Sequence, residues 1–442
     1  MSHSRRKFIA NSSLLVAGAG LSSLLPLESL AAIQKKISPN EAIQVGLIGC
    51  NGMGFSDLSS MLKTGEIQVK ALCDVDDSVL QKRTADLEKA GVKKPDTYKD
   101  FRKLLDDKDI DVVIIGVPDH WHCLMLTNAL EAGKDVYCEK PIANTKQEAD
   151  TMVNAVKKHN KIVQIGQWQR SNQHFADAVD FVRSGKLGNI RLVKAWAYQG
   201  WMNSVPPKPD GPPPPGVDYT MWLGPAPMRP FNPNRFHFTF RWFWDYAGGL
   251  MTDWGVHLMD YVLHGMNVST PKSVMALGGK FAYPNDAQET PDTMQTVYDF
   301  GTFAALWEHA MGINGGNYGR DHGIAYIGNN GTLVVNRGGW EVIPEEKKME
   351  AIPLNKPKDN GLDKHTRNFI DAVKSRNAGS LNAPIQVGYN AALISLLGNV
   401  AYKTGRKIHW DDNKKQFEEK EANEFLKANY HNNWKVPNYK NI

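Results

Sequence analysis

The chain has 442 residues, of which 42% are hydrophobic and 22% charged, so it can bury large cores and fill more than one domain. General disorder is excluded by that composition. The formal charge of +5 is carried in part by Arg5, Arg6 and Lys7, and what remains is too slight to argue for a nucleic-acid partner.

Residues 1–32 read as a twin-arginine export signal. A basic start containing Arg5-Arg6 precedes an apolar run from Leu14 to Leu27, and Ser29-Leu30-Ala31 forms a small-x-small cleavage site. Gly18, Gly20 and Pro26 interrupt the run, which is too short for a comfortable membrane span. The expectation is a periplasmic or secreted protein with no stable membrane span after signal removal, and a linker over 33–42.

From Ile43 the pattern alternates. A buried strand Ile43–Ile48 leads into Gly49-Cys50-Asn51-Gly52-Met53-Gly54, then a helix from Phe55 to Lys63, a strand from Val69 to Cys73 and a helix from Ser78 to Ala90. Strands follow at 111–117, 135–138 and 161–165, with helices at 122–132 and 146–159. Such alternation predicts an α/β fold: a Rossmann domain over 43–166, its parallel sheet covered on both faces. Residues 167–410 are rich in aromatics, carry a Pro-rich loop at 206–215 and alternate with period two at 190–198, 273–281, 294–300, 303–310 and 323–327. They predict a second α/β domain with an open, mostly antiparallel sheet, helices at 364–375 and 387–403, and an extension over 411–442. Cys50, Cys73, Cys123 and Cys138 fit neither a zinc ribbon nor a disulfide framework and read as buried free thiols.

The glycine stretch gains meaning from the strand before it and the helix after it. Gly49 permits a tight turn, Gly54 permits close packing of helix on sheet, and a helix amino terminus favours a pyrophosphate. Asn51 stands where the dinucleotide fingerprint has glycine, with Gly52 one step later, so a variant turn through Asn51, Gly52 and Met53 is expected to present N–H groups to phosphate. Asp74 ends the second strand, where its carboxylate can accept from both ribose hydroxyls and repel a 2′-phosphate; NAD is therefore favoured over NADP. Asp76 could share that role. Further on, Val136-Tyr137-Cys138 runs into Glu139-Lys140-Pro141. Pro141 cannot donate to a sheet ladder, so the strand ends there and projects Lys140 from the carboxyl edge, where ligands bind in open α/β sheets. Asp253, His257, Asp260 and His264 lack any recognised metal spacing, and no metal is expected.

With Val117-Pro118-Asp119-His120-Trp121-His122 and Gly248-Gly249 followed by Asp253-Trp254-Gly255-Val256-His257, the stretch from Ile43 to about Trp410 resembles the Gfo/Idh/MocA oxidoreductases, which include glucose-fructose oxidoreductase and inositol dehydrogenase. The string Asp218-Tyr219-Thr220-Met221-Trp222-Leu223-Gly224-Pro225 and the export signal resemble the secreted branch. The resemblance implies NAD(P)-dependent hydride transfer at a secondary alcohol of a sugar, glycoside or cyclitol. It puts Lys140 beside the nicotinamide and the reacting hydroxyl, where a proton relay requires burial or a neighbouring positive charge to lower the lysine pKa. Asp253 and His257 are expected on one face of a helix capped by Thr252. His257 would take the hydroxyl proton, and Asp253 would orient its ring or touch a substrate hydroxyl.

Pro118, His120 and His122, with Trp121 and Glu139, are expected at the cofactor. Gln167, Arg170, Arg241 and Asp245 are candidates to fix substrate hydroxyls, and Trp201 could stack on a sugar ring; most rings between Phe236 and Tyr246 read as core. Outside the cytoplasm free NAD is scarce, so a tightly bound, recycled cofactor is expected. Two alternatives stay open. One is an NAD-dependent glycosidase of the glycoside hydrolase family 109 kind, although that branch does not keep the Glu-Lys-Pro lysine. The other is a non-catalytic protein that retains NAD. An open sheet face implies pairing with a copy, as a dimer or tetramer.

Overall fold

The computed structural model describes residues 42–439; the export signal and residues 33–41 of the linker lie outside the described residues. The first sheet has the order β3-β2-β1-β4-β5-β6, formed by β1 (Ile43–Ile48), β2 (Ile67–Cys73), β3 (Asp96–Tyr98), β4 (Val112–Ile115), β5 (Asp135–Cys138) and β6 (Val163–Ile165). Every pairing is parallel. The apolar runs explain why: all four residues of β4 and of β5 are buried, as strands covered on both faces require. Strand order reverses between β1 and β4, and the carboxyl ends flanking that point are where an open sheet binds ligands.

Its helices are α1 (Gly52–Leu62), α2 (Asp77–Lys89), α3 (Phe101–Asp106), α4 (His122–Glu131) and α5 (Lys146–His159). Helix α1 begins earlier than the pattern predicts because Asn51 caps it, its side chain accepting from the Gly52 N–H. At α5 a reciprocal capping box between Thr145 and Glu148 sets the start. Two elements absent from the sequence reading appear here. β3 is an exposed three-residue edge strand and α3 a six-residue helix, both too short to carry a period.

Beyond β6 the chain contributes α6 (Gln173–Arg183), α7 (Tyr219–Leu223), α8 (Leu250–Asp253) and α9 (Gly255–Met266), and the second sheet has the order β14-β13-β12-β11-β7-β10-β9-β8-β15-β16. Its strands are β7 (Ile190–Gln199), β8 (Ser273–Gly279), β9 (Thr293–Asp299), β10 (Ala304–Met311), β11 (His322–Gly328), β12 (Gly331–Asn336), β13 (Gly339–Pro344), β14 (Ile352–Asn355), β15 (Ile408–Asp411) and β16 (Gln416–Phe417). It is antiparallel except between β7 and β10. The sequence reading lacks β12 because that strand is buried on both faces, which removes the alternation that marks a half-exposed strand.

One face of this sheet packs on α9 and on α11 (Ile385–Thr404); Tyr298 donates to the Ile394 carbonyl at 3.0 Å and Tyr326 to the Tyr261 carbonyl at 2.6 Å. The opposite face leaves Met275, Leu277 and Val297 exposed.

The division at 166/167 is crossed by α10 (Gly361–Ser375). Its apolar stripe, Phe369, Ile370 and Val373, joins Leu58 and Met61 beneath the first sheet, and Asp363 pairs with Lys63 at 2.9 Å. Chain order alone does not show that this helix packs beneath the first sheet. The C-terminal extension also returns to the first domain: Tyr430 donates to Glu148 and Tyr439 to Glu131, at 2.8 and 2.6 Å, and the Trp434 ring stands edge-on to Trp121 at 5.0 Å. The four cysteines are buried and free. Among the described residues no helix is long and apolar enough to cross a membrane.

Candidate functional site

Three glycines set the floor of the site. Gly49 has φ +83°, and a Cβ there would lie 2.5 Å from the Gly116 carbonyl oxygen; a Cβ on Gly54 would lie 2.2 Å from the Gly49 oxygen, and one on Gly116 would lie 2.5 Å from the Gly54 Cα. Only glycine lets β1, β4 and α1 approach this closely. The turn thus brings the amino terminus of α1 to the carboxyl edge of the sheet. Beside it the Asp74 carboxylate is aimed by two backbone donors, Cys50 N–H at 2.9 Å and Asp76 N–H at 3.1 Å. Burial raises the Asp74 pKa, and those donors oppose the rise. Asp76 is engaged elsewhere. It caps α2 through Ser78 and takes His237 Nε2 at 3.0 Å, so the shared ribose role considered for it is not available. Arg83, which nothing in the sequence singles out, donates to the Cys50 carbonyl at 3.1 Å and adds positive charge to the turn.

A cleft of about 330 Å³ opens here. Gly49, Asn51, Gly52, Met53, Asp74, Pro118, Glu139 and Lys140 all line it, and Phe238 and Arg241 close it from the second domain. A close backbone approach, a helix amino terminus and an oriented carboxylate together fit a dinucleotide. A larger hollow of about 660 Å³, between α5, α11 and the C-terminal tail, gathers none of the candidate site residues.

At the inner end of the cleft Lys140 Nζ donates to the Asp253 carboxylate at 3.0 Å and to the Asp253 carbonyl at 2.8 Å, while Arg241 Nε donates to the same carboxylate at 3.2 Å. The Lys140–Pro141 peptide is cis. Burial works to raise the Asp253 pKa, but the charges and hydrogen bonds of Lys140 and Arg241 prevail and hold it at about 2. Asp253 is a carboxylate that orients Lys140. This corrects the expected pairing of Asp253 with His257. The predicted continuous helix is broken at Trp254: Asp253 ends α8 and His257 lies in the first turn of α9. Thr252 does not cap a helix; it sits within α8, its hydroxyl accepting from the Gly248 N–H at 3.1 Å. His257 is 6% exposed, and its Nδ1 has no partner among the described residues. Burial, then the charges of Lys140 and Arg337, push its pKa well below the usual histidine value, so the ring is neutral.

Other expected contacts are not brought together. His120 pairs with the Trp222 carbonyl at 3.1 Å and His122 with the Pro141 carbonyl at 2.7 Å; burial pushes both to about 4, and neither lines the cleft. The short 3-10 turn Asp119–Trp121 rotates the motif so that Asp119 faces inward in their place, beside the expected Trp121. Gln167 donates to the Val256 carbonyl at 3.1 Å and secures the start of α9. Arg170 forks onto Asp260 at 2.7 and 2.6 Å, a buried pair that leaves it no free edge for a hydroxyl. Asp245 is held by Arg229 at 2.7 Å, outside the cleft. Trp201 donates to Gln199 at 2.7 Å, and its ring lies 6.0 Å from that of Phe238 at the rim. Among the described residues no group of three or more His, Cys, Asp or Glu is placed to hold a metal ion.

Asp119 is the carboxyl that sequence reasoning passed over. It is 6% exposed, and burial pushes its pKa to about 8 against the opposing charge of Arg241. Unfolded, an aspartate ionises near about 3.9, so the folded state holds the extra proton between the two values. The stability that this group contributes is present below the unfolded pKa and is lost as pH rises through the folded one. Asp119→Asn is therefore expected to raise the melting temperature more at about pH 8 than at about pH 5. A pH-independent difference between variant and wild type would remove Asp119 as the source.

Residues 43–167 match a family model described as the NAD-binding Rossmann fold of the GFO_IDH_MocA oxidoreductase family, and residues 194–436 match the C-terminal alpha/beta domain described for that family. A glycosyl hydrolase family 109 protein of Shewanella pealeana is 29% identical over 205 residues, 43% of this chain and 45% of that protein. Inositol 2-dehydrogenase of Salmonella typhimurium is 31% identical over 158 residues, 35% of this chain and 46% of the enzyme. The chain thus spans under half the length of each of these two relatives. Among solved structures, a levoglucosan dehydrogenase in complex with NADH shares the fold with a TM-score of 0.63 at 20% identity, over 83% of this chain and 99% of that one.

Proposed function

This chain belongs to the Gfo/Idh/MocA oxidoreductase family, and from that premise we propose that it oxidises a secondary alcohol of a sugar, glycoside or cyclitol with NAD held in the cleft of its Rossmann domain. The observation that carries the reading is Lys140, fixed by Asp253 at the carboxyl edge of the first sheet, within electrostatic reach of the neutral ring of His257, whose Nδ1 has no partner among the described residues. Bound NAD supplies the hydride acceptor. Gly49 to Gly54 would hold its pyrophosphate and Asp74 its ribose. His257, which burial keeps uncharged, would take the hydroxyl proton as general base. Lys140 donates to the same oxygen and stabilises negative charge as it develops there. Arg241 keeps Asp253 ionised and in place when Lys140 turns to substrate.

The reading extends to the cell. Export as a folded protein through residues 1–32 would carry NAD out already bound, so each turnover must restore its redox state with a second substrate. The exposed Met275, Leu277 and Val297 on the open face of the second sheet would be covered by a second copy.

A second reading is favoured by Asp119. A cleft carboxyl still protonated near neutral pH can deliver a proton to a leaving group, as glycoside cleavage by transient oxidation, elimination, hydration and reduction requires. One incubation with aryl glycosides and free sugars separates the two. Net reduction of nicotinamide by a free sugar supports the oxidoreductase; release of phenol with no net change in nicotinamide supports cleavage and overturns simple oxidation.

A further inference from the structure

Arg337 occupies the two-residue turn between β12 and β13, and Arg320 fastens the base of that hairpin by donating to Asn336, to the Gly339 carbonyl and to Glu341. The Arg337 guanidinium lies against two indole rings, with Cζ 4.9 Å from the Trp168 ring and 4.8 Å from the Trp254 ring. One edge is taken: Nε and Nη2 donate to Gln169 Oε1 at 3.3 and 3.1 Å. Nη1 has no partner among the described residues.

Its neighbours show why this matters. Lys140 and Arg241 share Asp253, Arg170 has Asp260 and Arg320 has Glu341, whereas Arg337 has only a neutral amide. The nearby carboxylate of Asp321 is engaged by His322 Nδ1 at 2.7 Å. The Asp253 and Asp321 carboxylates act on Arg337 through space without bonding it, so a guanidinium set among apolar rings keeps an edge that an anionic ligand can complete. Trp254 adjoins Asp253 and precedes the first turn of α9, so the open guanidinium edge belongs to the same end of the molecule as His257. Two further atoms there are buried and unpartnered, His257 Nδ1 and His322 Nε2, with the His322 ring 5.0 Å from Trp254.

Building on the oxidoreductase reading above, we propose that the substrate carries a carboxylate as well as the reacting hydroxyl, as a uronic acid does, and that Arg337 is the specificity-determining residue that receives it. The free edge of a planar guanidinium matches a carboxylate bidentately. A substrate lacking the group leaves that edge unsatisfied, which a hydrogen-bonding site rejects strongly.

The test is calorimetric titration of the NAD-loaded protein with D-glucuronate and D-galacturonate, each paired with its neutral aldose, and with glucose 6-sulfate. At least one uronate is expected to bind about 100-fold tighter than its neutral counterpart, with Arg337→Gln reducing the ratio to near one and Arg337→Lys recovering part of it. Equal binding of acid and neutral sugars by the wild type overturns the inference. So does an unchanged ratio in an Arg337→Gln protein that melts like the wild type; if that variant does not fold, the ratio in Arg337→Lys decides, since a point charge without the fork must lower it. Tighter binding of the sulfate overturns the carboxylate assignment in favour of a sulfate ester. Uronate binding that never reduces the nicotinamide would support the role of Arg337 while overturning the hydride-transfer reading, so the two failures are distinguishable.

Discussion

Lys140→Ala is expected to lower turnover on any responsive sugar by about 1,000-fold while NAD still copurifies with the protein. The ammonium stands at the inner end of the cleft because the Asp253 carboxylate and carbonyl hold it, and Arg241 cannot take that place, since it is committed to Asp253 and to the Phe238 carbonyl. The loss should fall on kcat more than on KM, because a group that stabilises charge developing on the alcohol oxygen acts in the transition state. A stability cost of about 1–3 kcal/mol should accompany it, as Asp253 loses one of its two cations within a buried site. Asp253, depressed to about 2, contributes stability that is present above its unfolded pKa and is lost as pH falls through the folded one. The variant's Asp253 should titrate higher, so its deficit in melting temperature should be full at neutral pH and shrink in acid. Steady-state kinetics and melting curves check both parts; unchanged turnover removes Lys140 from the mechanism.

Gly54→Ala is expected to abolish NAD retention, with nucleotide per protein falling more than about tenfold, since the whole phosphate cradle depends on this contact. The added Cβ would stand 2.2 Å from the Gly49 carbonyl oxygen and 3.3 Å from the Gly116 Cα. Both obstacles are backbone, so no side chain can rotate away. Helix α1 must instead lift from β1 and β4, at an overpacking cost of about 1–3 kcal/mol, and its N–H groups leave the pyrophosphate position. Gly52 is the control. It has open space where a Cβ would go, so a substitution there meets only the strain of φ +49° and should retain more nucleotide than Gly54→Ala. Equal retention by wild type and Gly54→Ala would contradict the cradle.

What could be read from the chain was local. The strand Ile43–Ile48, the strand Asp135–Cys138 and the helix Lys146–His159 have the bounds their patterns predict, because each is a continuous apolar run or a capped amphipathic period. Asp74 and Lys140 were visible for the same reason, as the polar residues at which such strands stop. Contacts made by folding were not visible. Lys140 and Asp253 are 113 residues apart, and the four-residue spacing to His257 suggested the wrong partner because nothing marked the break at Trp254. Within the 117–122 motif Pro118 and Trp121 line the cleft, but a 3-10 turn rather than an α-helical start decided that Asp119, not His120 and His122, joins them. Arg337 gave no signal at all: it lies in a hairpin turn after a strand buried on both faces, and its setting is built from Trp168, Gln169 and Trp254, which lie far from it in the chain.

In the proposed reaction a carbon-bound hydride leaves a sugar alcohol within this cleft. Its most direct measurement is a single turnover of the NAD-loaded protein with perdeuterated sugars, neutral and uronic, followed by quenching and mass analysis of the released nucleotide. A reduced nucleotide carrying one deuterium is expected with at least one sugar, and none in Lys140→Ala on the same timescale. Recovery of only oxidised, unlabelled NAD with every sugar would contradict it.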